Sequence, residues 1–297
     1  MTDFAKMQDQ MENGSGFIAA LDQSGGSTPK ALALYGVDAS DYGSEDEMFG
    51  EIQKMRERII LSPDFTSAKV IGAILFEKTL HEQIEGQAVP SYLWDKRGVV
   101  PFLKIDKGLQ DEADGVQLLK PIPGLADTLA AAKAMGIYGT KERSVIHGAN
   151  VDGIKAIVAN QFDVAHEVIS AGMVPIIEPE VNIHSETKAE AEAMLAEALL
   201  AQTKALGDGQ DIMLKLTLPE QPGIYDALAD HPRVQRVVAL SGGYSTQDAS
   251  ARLAQNHKMI ASFSRALTEG LQRDMTDDGF HAALGGNINQ IFEASIA

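Results

Sequence analysis

The chain has 297 residues, 44% of them hydrophobic, and carries 42 acidic against 25 basic side chains for a formal charge of −17. That length suffices for one large α/β domain with a sizeable core, and the acidic balance argues against nucleic acid or an anionic membrane as partner. Cysteine is absent, which excludes disulfides and thiolate metal sites; with no signal-peptide pattern at the N-terminus and no apolar run near the ~18–20 residues of a membrane span, a cytoplasmic protein is expected.

Short apolar runs recur in chain order: "FIAAL" at 17–21, "KVIGAILF" at 69–76, "VVPFLKI" at 99–105, "YGTKERSVI" at 138–146, "VPIIEPEV" at 174–181, "DIMLKLTL" at 211–218, "VQRVVALS" at 234–241 and "KMIASFS" at 258–264. The fourth is the most polar. Continuous apolar runs of this length suit parallel strands covered on both faces. After the first run, Thr28 and Pro29 have the spacing of a helix cap and first residue. Residues 77–98, with "EGQAVPSYLWDKRG", read as a long loop of the kind that carries function. A helical pattern covers 154–172, with Gly172 placed to end it. Another covers 186–206, where Thr187 and Glu190 have capping-box spacing and Ser185 is the alternative cap. Capped helix is also predicted at 245–256, and helix again at 267–296. No Pro/Gly/Ser linker divides the chain. Eight strands alternating with helices predict a (β/α)8 TIM barrel of the α/β class, one domain over 1–297, with an open doubly wound sheet as the alternative.

Polar residues two apart sit near several predicted strand ends: Lys104 and Asp106, Lys141 and Arg143, Glu178 and Glu180, Lys215 and Thr217, with Asp22 closing the first strand. Side chains two apart share one face of a strand. In a barrel all of them would converge on the mouth at the strands' carboxyl ends.

Lys215 stands between Met213, Leu214, Leu216 and Leu218. Burying an ammonium there costs several kcal/mol unless it is paired or neutral. Burial and the cations Lys141, Arg143 and Lys104 would both favour the neutral amine, the form that attacks a ketone to make a Schiff base. The pattern leaves open a second reading, in which Lys215 is paired with Glu178 or Glu180. Glu178, Glu180 and Asp22 are the candidates for the proton transfers that such chemistry requires.

"LSGGYS" at 240–245 offers Ser241, Gly242 and Gly243 before a helix, a sensible anion cradle after strand seven. Ser262 and Arg265 follow from strand eight, and Arg suits a phosphate. Ser24 and Ser27 in "DQSGGSTPK", with Lys104, form a second candidate phosphate site. Of the seven histidines, His147 and His184 follow strands four and five. No HExxH pair appears, and a zinc site there is the weaker reading.

The run of "FIAALDQSGGSTPKAL", "PFLKIDKG", "GTKERS", "VPIIEPE", "MLKLTLP", "LSGGYS" and "ASFSRAL" resembles class I fructose-bisphosphate aldolase, and is most similar to the short bacterial branch of that family. The resemblance covers nearly the whole chain in order. It implies a metal-independent, cofactor-free barrel that reversibly cleaves fructose 1,6-bisphosphate to dihydroxyacetone phosphate and glyceraldehyde 3-phosphate, in glycolysis and gluconeogenesis. It implies Lys215 as the Schiff-base lysine, Glu178 as general acid/base with Glu180 beside it, and Asp22 as the acceptor of the C4 hydroxyl proton. Lys141 and Arg143 correspond to the basic pair beside the imine. Ser241, Gly242, Gly243, Ser262 and Arg265 correspond to one phosphate site, and Ser24, Ser27 and Lys104 to the other. The family often assembles as homo-oligomers. Departures are Glu142 where animal enzymes have Trp, Leu216 where they have Pro, and Ser264 where they have Gly. The terminal Tyr of those enzymes has no counterpart in "QIFEASIA", and the last tyrosine is Tyr244. Tagatose 1,6-bisphosphate is the alternative sugar, and a non-catalytic phosphosugar-binding scaffold the alternative class.

Overall fold

A computed structural model describes residues 2–297. Apart from a two-residue strand at Val116–Gln117 that pairs antiparallel with Val145 and Ile146, the sheet consists of eight parallel strands: β1 Phe17–Leu21, β2 Val70–Leu75, β3 Val100–Lys104, β4 Gly139–Ile146, β5 Val174–Val181, β6 Ile212–Thr217, β7 Val234–Leu240 and β8 Met259–Ala261. They pair in sequence order, and β8 returns beside β1 to close a TIM barrel. Every expected strand is present within a few residues. The largest difference is β8, which has three residues because the chain turns at Ser262 toward a short helix at Arg265–Thr268.

The strand alternation divides each side chain's destination. Inward positions begin apolar and end polar: Ile18 then Asp22, Phe102 then Lys104 and Asp106, Ile176 then Glu178 and Glu180, Met213 then Lys215, Ile260 then Ser262. The lower barrel is thus a packed apolar plug, and the charged ends rise to one mouth. Outward positions form the larger core with the surrounding helices.

Those helices are α1 Asp3–Asn13, α2 Ser27–Leu34, α3 Glu45–Leu61, α4 Leu125–Ala134, α5 Val151–Ser170, α6 Lys188–Thr203, α7 Thr246–Leu253 and α8 Asp277–Ser295. Helix α5 ends as expected, at Gly172 with φ +71°. Helix α2 starts two residues earlier than the Thr28–Pro29 spacing suggested: Gly26 is its cap position, and Thr28 is fully buried. Thr187 does occupy the cap position of α6, but without a capping hydrogen bond; its hydroxyl accepts from Ala149 N at 2.9 Å instead.

Residues 77–98 are not an open loop. They fold into a 3-10 turn, a hairpin pairing Gln83–Ile84 with Gln87–Ala88, and a short helix at Val89–Tyr92. Leu80, Ile84, Val89, Tyr92 and Leu93 are buried, so this segment replaces the crossover helix between β2 and β3. It reaches the mouth only through Glu77.

Helix α1 carried no signal strong enough to expect it. It closes the amino end of the barrel. Met7 and Met11 enter the inner apolar cluster, Gln10 Nε2 donates to Ile71 O and Gly98 O at 2.7 Å each, and Arg236 Nε donates to Met11 O at 2.8 Å.

Candidate active site

The carboxyl ends of the strands open into a cavity of about 1000 Å³. All fourteen residues expected at the site line it: Asp22, Ser24, Ser27, Lys104, Lys141, Arg143, Glu178, Glu180, Lys215, Ser241, Gly242, Gly243, Ser262 and Arg265. The sequence scatters them over 244 positions; the barrel brings them together because each occupies the end of its strand or the turn after it.

At the cavity floor, four side chains form one chain of charge. Lys141 Nζ lies 2.7 Å from Asp22 Oδ2 and 2.9 Å from Glu178 Oε2, and Lys215 Nζ lies 3.1 Å from Glu178 Oε1. Lys141, Glu178 and Lys215 are each 4% exposed or less. Glu178 therefore bridges the two lysines. This corrects the picture of Lys215 facing only cations: its partner is a carboxylate, as the paired reading held, yet the amine still faces the open end.

Burial by itself raises the Asp22 carboxyl, but Lys141 and then Lys215 and Lys104 outweigh it and hold the group well below the usual carboxylate range. Glu178 follows the same balance: burial pushes it up, while Lys141 and Lys215 bring it below its ordinary value. For Lys141 burial pushes down, and Asp22 and Glu178 overcome it, so its ammonium is strongly stabilised. Lys141 is thus the fixed cation of the site, held between two carboxylates.

Toward the rim, Lys104 Nζ pairs with Asp106 Oδ1 at 2.6 Å, and Asp106 Oδ2 accepts from Arg143 N at 3.2 Å. Asp106 belongs to the alternating pattern but had no assigned role; it anchors Lys104 and the β4 backbone. Arg143 pairs with Glu180 through Nε, which places Glu180 beside Glu178 but in a separate ion pair. Thr217 does not work in the cavity. Its hydroxyl donates to Val181 O at 2.8 Å and accepts from Val181 N at 2.9 Å, tying β5 to β6 at the mouth.

Gly242 and Gly243 have φ +60° and +129°, and a Cβ on Gly242 would stand 2.7 Å from Ile183. Both backbone hand and space require glycine there. The turn is closed by Tyr244 N donating to Ser241 O at 3.0 Å, and Tyr244 OH donates to Glu220 Oε1 at 3.0 Å behind it. Ser262 Oγ is buried and has no partner, an unmet hydroxyl at the cavity wall. Such a group costs stability unless a bound ligand satisfies it. Across the mouth, Ser27 Oγ donates to Ser24 O at 2.8 Å and accepts from Ser24 N at 3.0 Å, which folds that loop over the cavity edge.

His147 Nε2 lies 2.9 Å from Gln117 Oε1 and its Nδ1 lies 3.4 Å from Asn182 Nδ2, so amides face both ring nitrogens; His184 is exposed. Among the described residues no three His, Asp or Glu side chains gather in metal-binding fashion.

Comparison with known proteins agrees with this geometry. The family model for fructose-bisphosphate aldolase class-I matches residues 4–223. A curated relative from Synechocystis sp., named fructose-bisphosphate aldolase class 1, is 53% identical over 97% of this chain and 96% of its own length. One of the same name from Porphyromonas gingivalis is 52% identical over 97% of each. The solved fructose-bisphosphate aldolase of Plasmodium falciparum, crystallised with TRAP and an inhibitor, superposes with TM-score 0.79, covering 99% of this chain and 94% of that one; at 20% identity it shows the shared fold. A buried lysine–carboxylate–lysine chain at the mouth of a parallel barrel, in a sequence this close to those relatives, has one family to belong to: the chain is a class I fructose-bisphosphate aldolase, and so a lyase.

Proposed function

We propose that this enzyme reversibly cleaves fructose 1,6-bisphosphate to dihydroxyacetone phosphate and glyceraldehyde 3-phosphate through a Schiff base on Lys215, a cytoplasmic step of glycolysis and gluconeogenesis. The observation that carries the reading is Glu178 set between Lys215 and Lys141, at 3.1 and 2.9 Å.

Glu178 accepts a proton from the Lys215 ammonium, and the freed amine attacks the C2 ketone. The carbinolamine loses its hydroxyl as water when Glu178 returns the proton, leaving a protonated imine. That cation draws the electron pair of the C3–C4 bond. The C4 hydroxyl gives its proton to Asp22, and the C3–C4 bond breaks to release the aldehyde. Protonation of the enamine at C3 and hydrolysis of the imine free the second product. Lys141 stays charged throughout, orienting Asp22 and Glu178 and stabilising negative charge that develops between them. Ser241, Gly242, Gly243, Ser262 and Arg265 hold one phosphate, and Ser24, Ser27 and Lys104 hold the other.

Purified protein should turn over fructose 1,6-bisphosphate with a higher kcat/KM than tagatose 1,6-bisphosphate. Binding of either sugar without turnover would instead fit a scaffold. Activity should survive dialysis against EDTA; its loss there, with recovery on adding a divalent cation, would contradict imine chemistry.

A further inference from the structure

The hydrogen-bonded ladder runs from β1 to β8 and stops there: among the described residues, β8 and β1 are neighbours without a ladder between them. The loops leaving these two strands carry Ser24 and Ser27 on one side of that seam and Ser262 and Arg265 on the other. Their spacing is therefore not set by strand pairing.

One side chain crosses the seam at their level. Gln23, buried beside Asp22, donates through Nε2 to Ser264 Oγ at 2.8 Å. Arg56 of α3 holds Gln23 from behind: its Nη2 donates to Gln23 O at 2.6 Å and lies 3.4 Å from Gln23 Oε1, while Nη1 donates to Thr79 Oγ1 at 3.0 Å. Arg56 is 1% exposed, and its Nε has no partner. Burial pulls its guanidinium down to about 10, with Asp22 the charge that opposes this. An apolar side chain would fill that space without the desolvation cost. What Arg56 supplies is a rigid fork of donors aimed at Gln23 and Thr79.

We infer that Arg56, Gln23 and Ser264 form a strut across the barrel seam that fixes the separation of the two phosphate-gripping loops, and so selects a sugar phosphorylated at both ends over one phosphorylated at one end. Arg56 and Gln23 are positioning residues, acting through the loops they hold. The inference rests on the sugar-bisphosphate reading of the cavity. A substrate gripped at both ends needs both loops at one spacing, whereas a monophosphate engages a single loop and tolerates a change in the other.

The test compares kcat/KM for fructose 1,6-bisphosphate and fructose 1-phosphate in the parent, Gln23→Leu, Ser264→Ala and Ser264→Thr proteins. Gln23→Leu and Ser264→Ala should lower the bisphosphate-to-monophosphate ratio by about tenfold, and Ser264→Thr, which keeps the hydroxyl, should hold it within about twofold. Should Gln23→Leu fail to fold, Ser264→Ala carries the same contrast, because it leaves Arg56 and Gln23 in place. Equal losses on both sugars, or an unchanged ratio in the alanine variant, would overturn the strut. A parent protein that forms no products from the bisphosphate would overturn the reading of the site itself.

Discussion

At the scale of single residues, the site is a problem of charge placed where water is scarce. Asp22 and Glu178 bind protons less readily folded than unfolded, because Lys141 and Lys215 outweigh burial. Their contribution to stability is therefore present above pH ~4 and lost as pH falls through their lowered folded values. Lys141 runs the other way: its raised folded value leaves its contribution complete below pH ~10.5 and lost only as pH rises beyond that. Replacing Glu178 by Gln keeps the shape and removes the acid, so kcat should fall about 10²- to 10⁴-fold in a cleavage assay; near-parent kcat would show that the proton travels elsewhere. Glu142 is the opposite case. It faces outward from β4, fully buried, with Thr140 Oγ1 3.3 Å from Oε2 and no partner at Oε1. Burial, and then Asp106, raise its carboxyl well above the usual range. Its contribution is therefore full below pH ~4.3 and is lost as pH rises toward that folded value. Glu142→Gln should add about 1 kcal/mol of stability at pH 8 and little at pH 4, measured by urea unfolding; a gain independent of pH would contradict a protonated Glu142. The sequence made Lys215 conspicuous through its apolar flanks, but left its pairing open because strand position does not disclose which carboxylate comes within 3 Å. Arg56 gave no signal at all, since an arginine on a helix is usually solvated.

At the scale of elements, local pattern was enough wherever a segment's burial follows from its own sequence. Strands β1, β5 and β6 are buried on both faces, and their limits were legible almost to the residue. Two-residue alternation placed Glu178 and Glu180, or Lys104 and Asp106, on one face before any fold was known. Where stability is non-local, the sequence was mute. Helix α1 is polar apart from Phe4, Ala5, Met7 and Met11, and its worth lies in the barrel end that it covers. Residues 77–98 look like loop because they are short turns joined together, yet their apolar side chains replace a crossover helix. Tight contacts between elements were equally hidden. Gly139 opens β4, and a Cβ there would sit 2.0 Å from Val174 O on β5 and 3.0 Å from Phe102. Gly139→Ala should cost about 2–4 kcal/mol in a urea titration, because neighbouring backbone cannot give way cheaply. A cost below about 0.5 kcal/mol would mean that β4 and β5 can separate without loss.

At the scale of the molecule, the barrel separates stability from chemistry along its axis. The amino end is sealed by α1 and filled by Met11, Ile18, Ile176 and Met213, while the charged residues occupy the carboxyl end. Met11→Ala should therefore lower stability by about 2–5 kcal/mol, as a cavity at a fully buried methionine does, with kcat for cleavage unchanged. A fall in kcat matching the stability loss would show that the two ends are mechanically coupled. The fold class was readable from eight alternations of strand and helix, but the open doubly wound alternative was settled only by the return of β8 to β1. Cleavage in this barrel requires covalent capture of the substrate ketone by one amine. Incubation with dihydroxyacetone phosphate and borohydride, followed by peptide mass spectrometry, reads this directly. The reduced adduct should fall on Lys215 in the parent and vanish in Lys215→Met; an adduct on Lys141 or Lys104, or none in a protein that still cleaves the sugar, would contradict it.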